Sequence, residues 1–376
     1  MEHSIYLDHA ASTPLHPHVI QKLYSTLPLY ANPSSMHTPG ITTNSVIEDT
    51  SDIIAKCLNC DSNNLYYTSG ATMSNNVAIQ GFARKCEIGN FYFVTSELEH
   101  DDIYLIEKNL FSKDKICHIP CDKNGYLKLN ALDSKLSELS KKQLPVLVSV
   151  QWANNEMGVI QDMRQICDIC HKYDNTFIHT DATQYIPYYL VDLSSIQVDA
   201  LSMSAQKIGG LKGTGLLYLR DNYPISPLIY GDQGLIGGTE NVPGIVCLGE
   251  AFKCLDYSKN ESLSSKRDYL YEQIKDCGRL VGTLENRLPN NLCMIFDGAH
   301  GEEMVAFLDG FDIYTSSGSA CSSHTNEPSH VMKALGYSDD EANSSVRFSL
   351  GNEIIYDDLD YVAKTVKYAC DILKSR

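Results

Sequence analysis

Lys207 stands at the head of a glycine-rich stretch, SAQKIGGLKGTG, between two strand-like runs. A lysine just beyond a strand and walled by small residues is placed to be desolvated, to lose its proton and to form an imine with a carbonyl. Ser204 and Gln206 can reach a phosphate from the same turn, and Lys212, deeper in the glycine run, is the competing amine. Asp181 ends the run TFIHTD and is followed by Ala182, Thr183 and Gln184. A carboxylate there either holds a heterocyclic nitrogen protonated or caps the next segment. Upstream, Ser69-Gly70-Ala71-Thr72 follows the strand-like run NLYYT and opens a helical pattern. Small residues at a helix N-terminus let backbone N–H groups approach an anion, with Ala71 and Thr72 as the contacts. The alternative is an N-cap by Ser69 or Thr72. Each signal alone is ambiguous. In combination, an anion cradle, a strand-end Asp and a lysine 26 residues later (207 minus 181) point to one site.

The other reactive candidate is Cys321, in YTSSGSACSSHTNEPSH. Its neighbours are Ser, Gly and Ala with no apolar periodicity, so the segment reads as an exposed loop in which a thiol is available for chemistry. The remaining twelve of the thirteen cysteines read differently. Cys57/Cys60 and Cys167/Cys170 have CxxC spacing but lie more than a hundred residues apart, unlike the paired spacing of a zinc ribbon. Both pairs read as packing residues, because free cysteine is commonly buried as a small hydrophobe.

Composition excludes several classes. A net charge of -17 disfavours direct nucleic-acid binding, which needs a lysine and arginine surplus. The start, MEHSIYLDHAAST, has no basic segment followed by an apolar core, and no apolar run approaches the ~18 residues of a membrane span. The expected setting is cytoplasmic, without a disulfide framework.

The elements that must position these residues alternate. NLYYTS precedes MSNNVAIQGFARKC, LPVLVSVQW precedes MRQICDICHKY, and NFYFVTS, TFIHTDA, DALSMS and GLLYLR are further strand-like runs. This pattern predicts an α/β fold with a mostly parallel sheet covered by helices on both faces. Ligands of such sheets bind beyond the carboxyl ends of the strands, where Ser69–Thr72, Asp181 and Lys207 fall. After about residue 250 longer helices and few strands predict a smaller α+β domain. The expected division is 15–250 for the large domain, and 1–14 with 251–376 for the small one.

In sequence order the chain resembles the NifS/IscS-type cysteine desulfurases, class-V aminotransferases of pyridoxal-phosphate fold type I. The resemblance runs through YLDHAASTP at 6–14, NPSSMH at 32–37, TSGAT at 68–72, EHDDI at 99–103 and WANNEMGVIQD at 152–162. It continues through HTDATQ at 179–184, SAQK at 204–207, GTENVP at 238–243, SSGSAC at 316–321 and SSVRFSLG at 344–351.

The resemblance implies pyridoxal 5'-phosphate as cofactor and L-cysteine as substrate. It implies that Lys207 carries the cofactor, that His100 stacks on its ring and moves protons, and that Asp181 partners the ring nitrogen. Gln184 and Asn155 match contacts to the ring hydroxyl and the substrate, and Thr72 and Ser204 match phosphate ligands. Thr239 matches a phosphate contact from the other subunit of a homodimer. Arg347 matches the clamp on the substrate carboxylate, with Asn32 expected beside it, and Cys321 matches the thiol that receives sulfur and passes it to an acceptor protein.

The chain departs from the family pattern at Gln206, where histidine is usual, and at Met73, where glutamate is usual. GDQGLIGGTENVP is shorter than the usual glycine-rich stretch and lacks its arginines, and the C-terminal extension of housekeeping members is expected to be missing. Three functions stay open at this level: a desulfurase, another enzyme of the family that does not depend on Cys321 (an aminotransferase, or a selenocysteine or cysteine-sulfinate lyase), and a non-catalytic paralogue acting as a binding partner. The acceptor is open among iron–sulfur assembly, tRNA thiolation and DNA phosphorothioation.

Overall fold

The computed structural model describes residues 4–231, 234–318 and 327–374. Strand β1 (Ile5–Tyr6) leads into helices α1 (Pro17–Thr26) and α2 (Thr38–Leu58). Strands and helices then alternate: β2 (Leu65–Thr68), α3 (Ala71–Lys85), β3 (Tyr92–Ser96), α4 (Asp101–Leu110), β4 (Ile116–Ile119), α5 (Leu129–Ser140), β5 (Val146–Ser149), α6 (Met163–Cys170) and β6 (Thr176–Asp181). β7 (Ala200–Ser204) and β8 (Gly215–Leu219) complete a seven-stranded sheet in the order β2-β8-β7-β6-β5-β3-β4. Only β8 runs against its neighbours.

Alternation along each strand explains why both faces carry helices. Phe93, Leu147, Ala200 and Leu217 point into one apolar cluster with Val77, Phe82 and Ile103 of α3 and α4. Their chain neighbours Val94, Val148, Leu201 and Leu216 point into another, with residues such as Ile54, Leu136 and Ile166 from α2, α5 and α6. A period of two thus divides continuous apolar strands between two cores, and each fully buried Leu or Phe contributes ~1.5–3 kcal/mol. The strand not expected from sequence is β4: it sits at the sheet edge with one neighbour, and its residues are partly exposed, so no continuous apolar run marks it.

The rest of the chain folds as α7 (Val242–Lys253), α8 (Asn260–Ile274), β9 (Arg279–Leu280), β10 (Asn291–Ile295), α9 (Gly301–Asp309), β11 (Ile313–Tyr314), β12 (Ser316–Ser317), α10 (His330–Ala334), α11 (Asp339–Asn343), β13 (Ser345–Ser349) and α12 (Tyr356–Leu373). An antiparallel sheet, β12-β13-β10-β9, packs its own core of Leu292, Met294, Val346 and Phe348 against α8, α9 and α12. Ile5 and Leu7 belong to this second core, because β1 pairs with β11.

The segment after β1 crosses from one core to the other. Ala10 N–H donates to Ser349 Oγ (2.9 Å), Thr13 N–H donates to the Gln206 carbonyl (2.9 Å), and His16 N–H donates to the Gly209 carbonyl (2.9 Å). This strap ties the strand carrying Arg347 to the turn carrying Lys207. Among the described residues no helix is long and apolar enough to cross a membrane.

Candidate active site

At the carboxyl end of β2 the chain turns through Ser69 and Gly70 into α3. Gly70, at φ 149° and ψ 175°, is the N-cap, and no side chain caps the helix. That backbone region is open essentially to glycine alone. The uncapped first-turn N–H groups therefore remain available to an anion, and neither Ser69 nor Thr72 serves as the N-cap. Thr68 ties the turn, its hydroxyl lying 3.0 Å from the Gly70 carbonyl and 2.8 Å from Ser74 Oγ. A Cβ at Gly215 would meet the Gly70 backbone at 2.6 Å, so β8 closes on this turn only with glycine at 215. Met73 fills the rim, its sulfur accepting from Ser69 N–H (3.4 Å) and Ser69 Oγ (3.3 Å).

Asp181, at the end of β6, is buried and accepts from Thr183 N–H and from Asn75 Nδ2, both at 2.9 Å. Burial pushes its carboxyl above the ordinary range, and the charge of Asp102 pushes the same way. Asn75, on α3, also donates to the Asp102 carboxylate at 3.2 and 3.3 Å, so one amide holds two buried acids. His100 is the N-cap of α4, and its Nδ1 lies 3.0 Å from Asp102 Oδ1. Burial alone would raise Asp102; hydrogen bonds from His100, Thr72 and Asn75 and the charge of His100 bring it below the usual carboxylate range.

Lys207 follows β7 in a single 3-10 turn, and its Nζ donates to the carbonyls of Ala10 (2.6 Å) and Ala11 (2.5 Å). Gln184 Nε2 donates to the same Ala10 carbonyl (2.9 Å). Arg347, on β13, is buried; Nη1 donates to the Asn155 carbonyl (3.0 Å) and Nη2 to Asp8 Oδ1 (2.9 Å), while Nε has no protein partner. Asn155 is fixed in turn by Gln151, whose Nε2 donates to its Oδ1 (3.2 Å).

One cavity of about 530 Å³ gathers these groups: Gly70, Ala71, Thr72, Ser204 and Gln206 at the anion cradle, Asp181, Thr183, Gln184 and His100 along the wall, and Lys207, Asn155 and Arg347 around the remainder. Lys212 is exposed and stands outside it, which separates the two candidate amines. Sequence reasoning passed over Asn75, Asp102, Thr183, Gln151 and Asp8. The signal for Asn75 was its own oddity, since consecutive asparagines are poor helix formers unless their side chains have work to do.

Two expected site residues, Asn32 and Thr239, lie elsewhere in this chain. Asn32 is not beside Arg347; its Oδ1 accepts from Ser34 N–H (2.9 Å) and Ser34 Oγ (2.7 Å) in a tight local turn. It lines a separate cavity of about 330 Å³ together with Thr239, Tyr230 and Gly238. Cys321 lies outside the described residues, although Ser316, on the approach to it, lines the main cavity. Of the CxxC cysteines, Cys167 and Cys170 are buried in the large core, and burial pushes Cys167 up to about 12 and Cys170 well above its ordinary value.

The cavity fits a phosphorylated pyridine aldehyde. The cradle is uncapped, a buried acid faces a wall whose Thr183 Oγ1 has no protein partner, and an amine stands across from them. Ala71, Thr72, Ser204 and Gln206 would hold the phosphate, Asp181 the ring nitrogen and Lys207 the aldehyde carbon.

Comparison with known proteins agrees. The pattern described as aminotransferase class-V matches residues 5–362. A relative from Dictyoglomus turgidum, named cysteine desulfurase IscS, is 35% identical over 389 aligned positions, covering 100% of this chain and 96% of that protein. A solved NifS-like protein superposes with a TM-score of 0.86 at 30% identity, covering both chains completely. A structure titled SspA in complex with cysteine superposes with a TM-score of 0.78 at 28% identity, over 94% of this chain and 100% of that one. With the fold, the cavity and an almost full-length match in agreement, the chain belongs to the class-V aminotransferases, pyridoxal-phosphate enzymes, with IscS-type cysteine desulfurases among its relatives.

Proposed function

We propose that this chain is a cysteine desulfurase that converts L-cysteine to L-alanine and holds the released sulfur as a persulfide on Cys321. The observation that carries the reading is the single cavity in which Lys207, Asp181, His100 and Arg347 surround an anion cradle. Pyridoxal phosphate, when bound, supplies a carbonyl that condenses with amines and a ring that takes up electron density from the substrate's Cα.

Arg347 binds the substrate carboxylate through its guanidinium, sharing it with Asp8, and so orients Cα and Sγ. Lys207 would hold the cofactor between turnovers, and its Nζ, once freed by the substrate amine, takes up the Cα proton. His100 lines the same cavity and takes part in that proton traffic, its ring oriented by Asp102. The Cys321 thiolate attacks the substrate Sγ. The S–S bond forms as the Cβ–Sγ bond breaks, the electron pair stays with Cβ, and protonation at Cβ together with return of a proton to Cα completes alanine. Cys321 is five residues beyond Ser316 in the sequence (321 minus 316), and Ser316 lines the cavity. The persulfide then passes to an acceptor protein.

We also assign a homodimer. Thr239 and Asn32 share a cavity away from the anion cradle of their own chain, so a phosphate contact by Thr239 calls for a second copy. Exposed Tyr30, Met36 and Tyr230 beside that cavity form the kind of apolar surface that association would cover. A cytoplasmic setting fits twelve described cysteines, all free.

The test is alanine and sulfide formation from L-cysteine with dithiothreitol, for wild type and Cys321→Ser. Loss of both products in the variant supports the reading; undiminished release would assign the chain to a lyase chemistry independent of Cys321.

A further inference from the structure

Helices α1 and α7 pack side by side, with Cys247 Sγ directed at the Val19 carbonyl (3.8 Å). Their ends bring together His16, the N-cap of α1, His18, its second residue, and Cys254, the C-cap of α7. One ring nitrogen of each histidine and the Cys254 Sγ lie within 4.8 Å of one another. His16 Nδ1 accepts the His18 N–H at 3.3 Å, and the two rings meet edge-on at a centroid distance of 5.2 Å. Pro17 between them fixes the backbone, so the rings converge from a preset turn.

We propose that His16, His18 and Cys254 form a binding site for a divalent transition ion of the zinc class, with the fourth position left to water. Two imidazoles and a thiolate are the donors that Zn²⁺ takes, whereas Mg²⁺ and Ca²⁺ require oxygen. Bond lengths of ~2.0–2.3 Å in a tetrahedral shell put neighbouring donors ~3.5 Å apart, so closure asks only for rotamer adjustment at side chains that are exposed or half-buried. Glu250, on α7 one turn before Cys254, adds negative charge at both His16 and Cys254. Lys253 and Lys259 face the cluster with the opposite charge. Coordination forms the metal–sulfur bond as the S–H proton leaves to solvent. The site also bears on the active centre: His16 N–H holds the Gly209 carbonyl, two residues beyond Lys207. An ion there would join α1, α7 and the turn that carries the catalytic lysine.

The test uses the cofactor-loaded protein in a Cys321→Ser background, titrated with Co²⁺ as a spectroscopic stand-in. One equivalent should bind per chain, with the visible bands of a tetrahedral site and a near-ultraviolet thiolate-to-cobalt band. Cys254→Ser should lose the thiolate band. His18→Ala, at an exposed position where the fold is indifferent, should weaken binding on the order of 100-fold, since even supporting groups around a metal are worth 10–100-fold. Zn²⁺ should raise the melting temperature of the parent and leave that of His18→Ala unchanged. Absence of one-equivalent binding, or a thiolate band that survives Cys254→Ser, would overturn the proposal.

Discussion

Asn75 offers the most informative perturbation of the cofactor site, because it touches neither substrate nor cofactor directly. Its side-chain amide donates to Asp181 Oδ2 at 2.9 Å and to Asp102 at 3.2 and 3.3 Å, and it is fully buried. Asn75→Leu keeps most of the volume and removes both donors. A buried hydrogen bond to a charged acceptor is worth about 1.5–3 kcal/mol. If Asp181 must be ionised to face the ring nitrogen, that loss falls on the bound state and corresponds to a ~10- to 100-fold weaker affinity for pyridoxal phosphate. The sign with pH follows from the burial of Asp181, whose carboxyl already sits above the ordinary range. Losing the amide raises it further, so cofactor affinity should decline at a higher pH than in wild type as acid is added. The assay is equilibrium titration of apoprotein with the cofactor, followed by its visible absorbance across pH, with thermal unfolding recorded separately. An unchanged affinity and pH profile in a folded Asn75→Leu protein would refute the link from Asn75 through Asp181 to the cofactor.

Gly70→Ala places a Cβ at φ 149°, costing ~1–3 kcal/mol; it should lower the melting temperature and weaken phosphate binding, read by thermal unfolding with and without inorganic phosphate. Arg347→Lys removes the planar fork while keeping the charge, and KM for L-cysteine should rise ~10-fold or more with a smaller change in kcat, measured by steady-state alanine formation. Glu99 is buried, its Oε1 2.5 Å from Ser96 Oγ, and burial raises it from 4.5 to about 8. The folded state therefore keeps a proton that the unfolded chain has released, and stability falls as pH rises between those values. Glu99→Gln should abolish that decline, as judged by urea unfolding at several pH values.

The strands and their order of use were readable because six of the seven are short runs carrying aliphatic or aromatic residues, and the chemistry-bearing residues follow β2, β6 and β7 directly. Lys207 and Asp181 stood out for the same reason: a strand end followed by small residues is a local pattern. Asp102 was not readable, since an acid in a first turn has an ordinary local explanation, and Asn75 offered only the hint of two consecutive asparagines inside a helix. Their roles come from α3 and α4 converging on the end of β6, a contact between segments far apart in the chain. Asn32 illustrates the opposite error. Its motif is local and clear, but the side chain is spent on its own turn, and the cavity it lines is the one that holds Thr239. The cluster of His16, His18 and Cys254 was equally hidden, because only the packing of α1 on α7 joins its two parts.

The central claim concerns the fate of one sulfur atom. Wild-type protein loaded with cofactor, exposed to L-cysteine without reductant, trapped by alkylation and digested, should carry one added sulfur on the peptide containing Cys321, in step with the alanine formed. Alanine formation with no added sulfur on that peptide, or with the sulfur on another cysteine, would contradict the account.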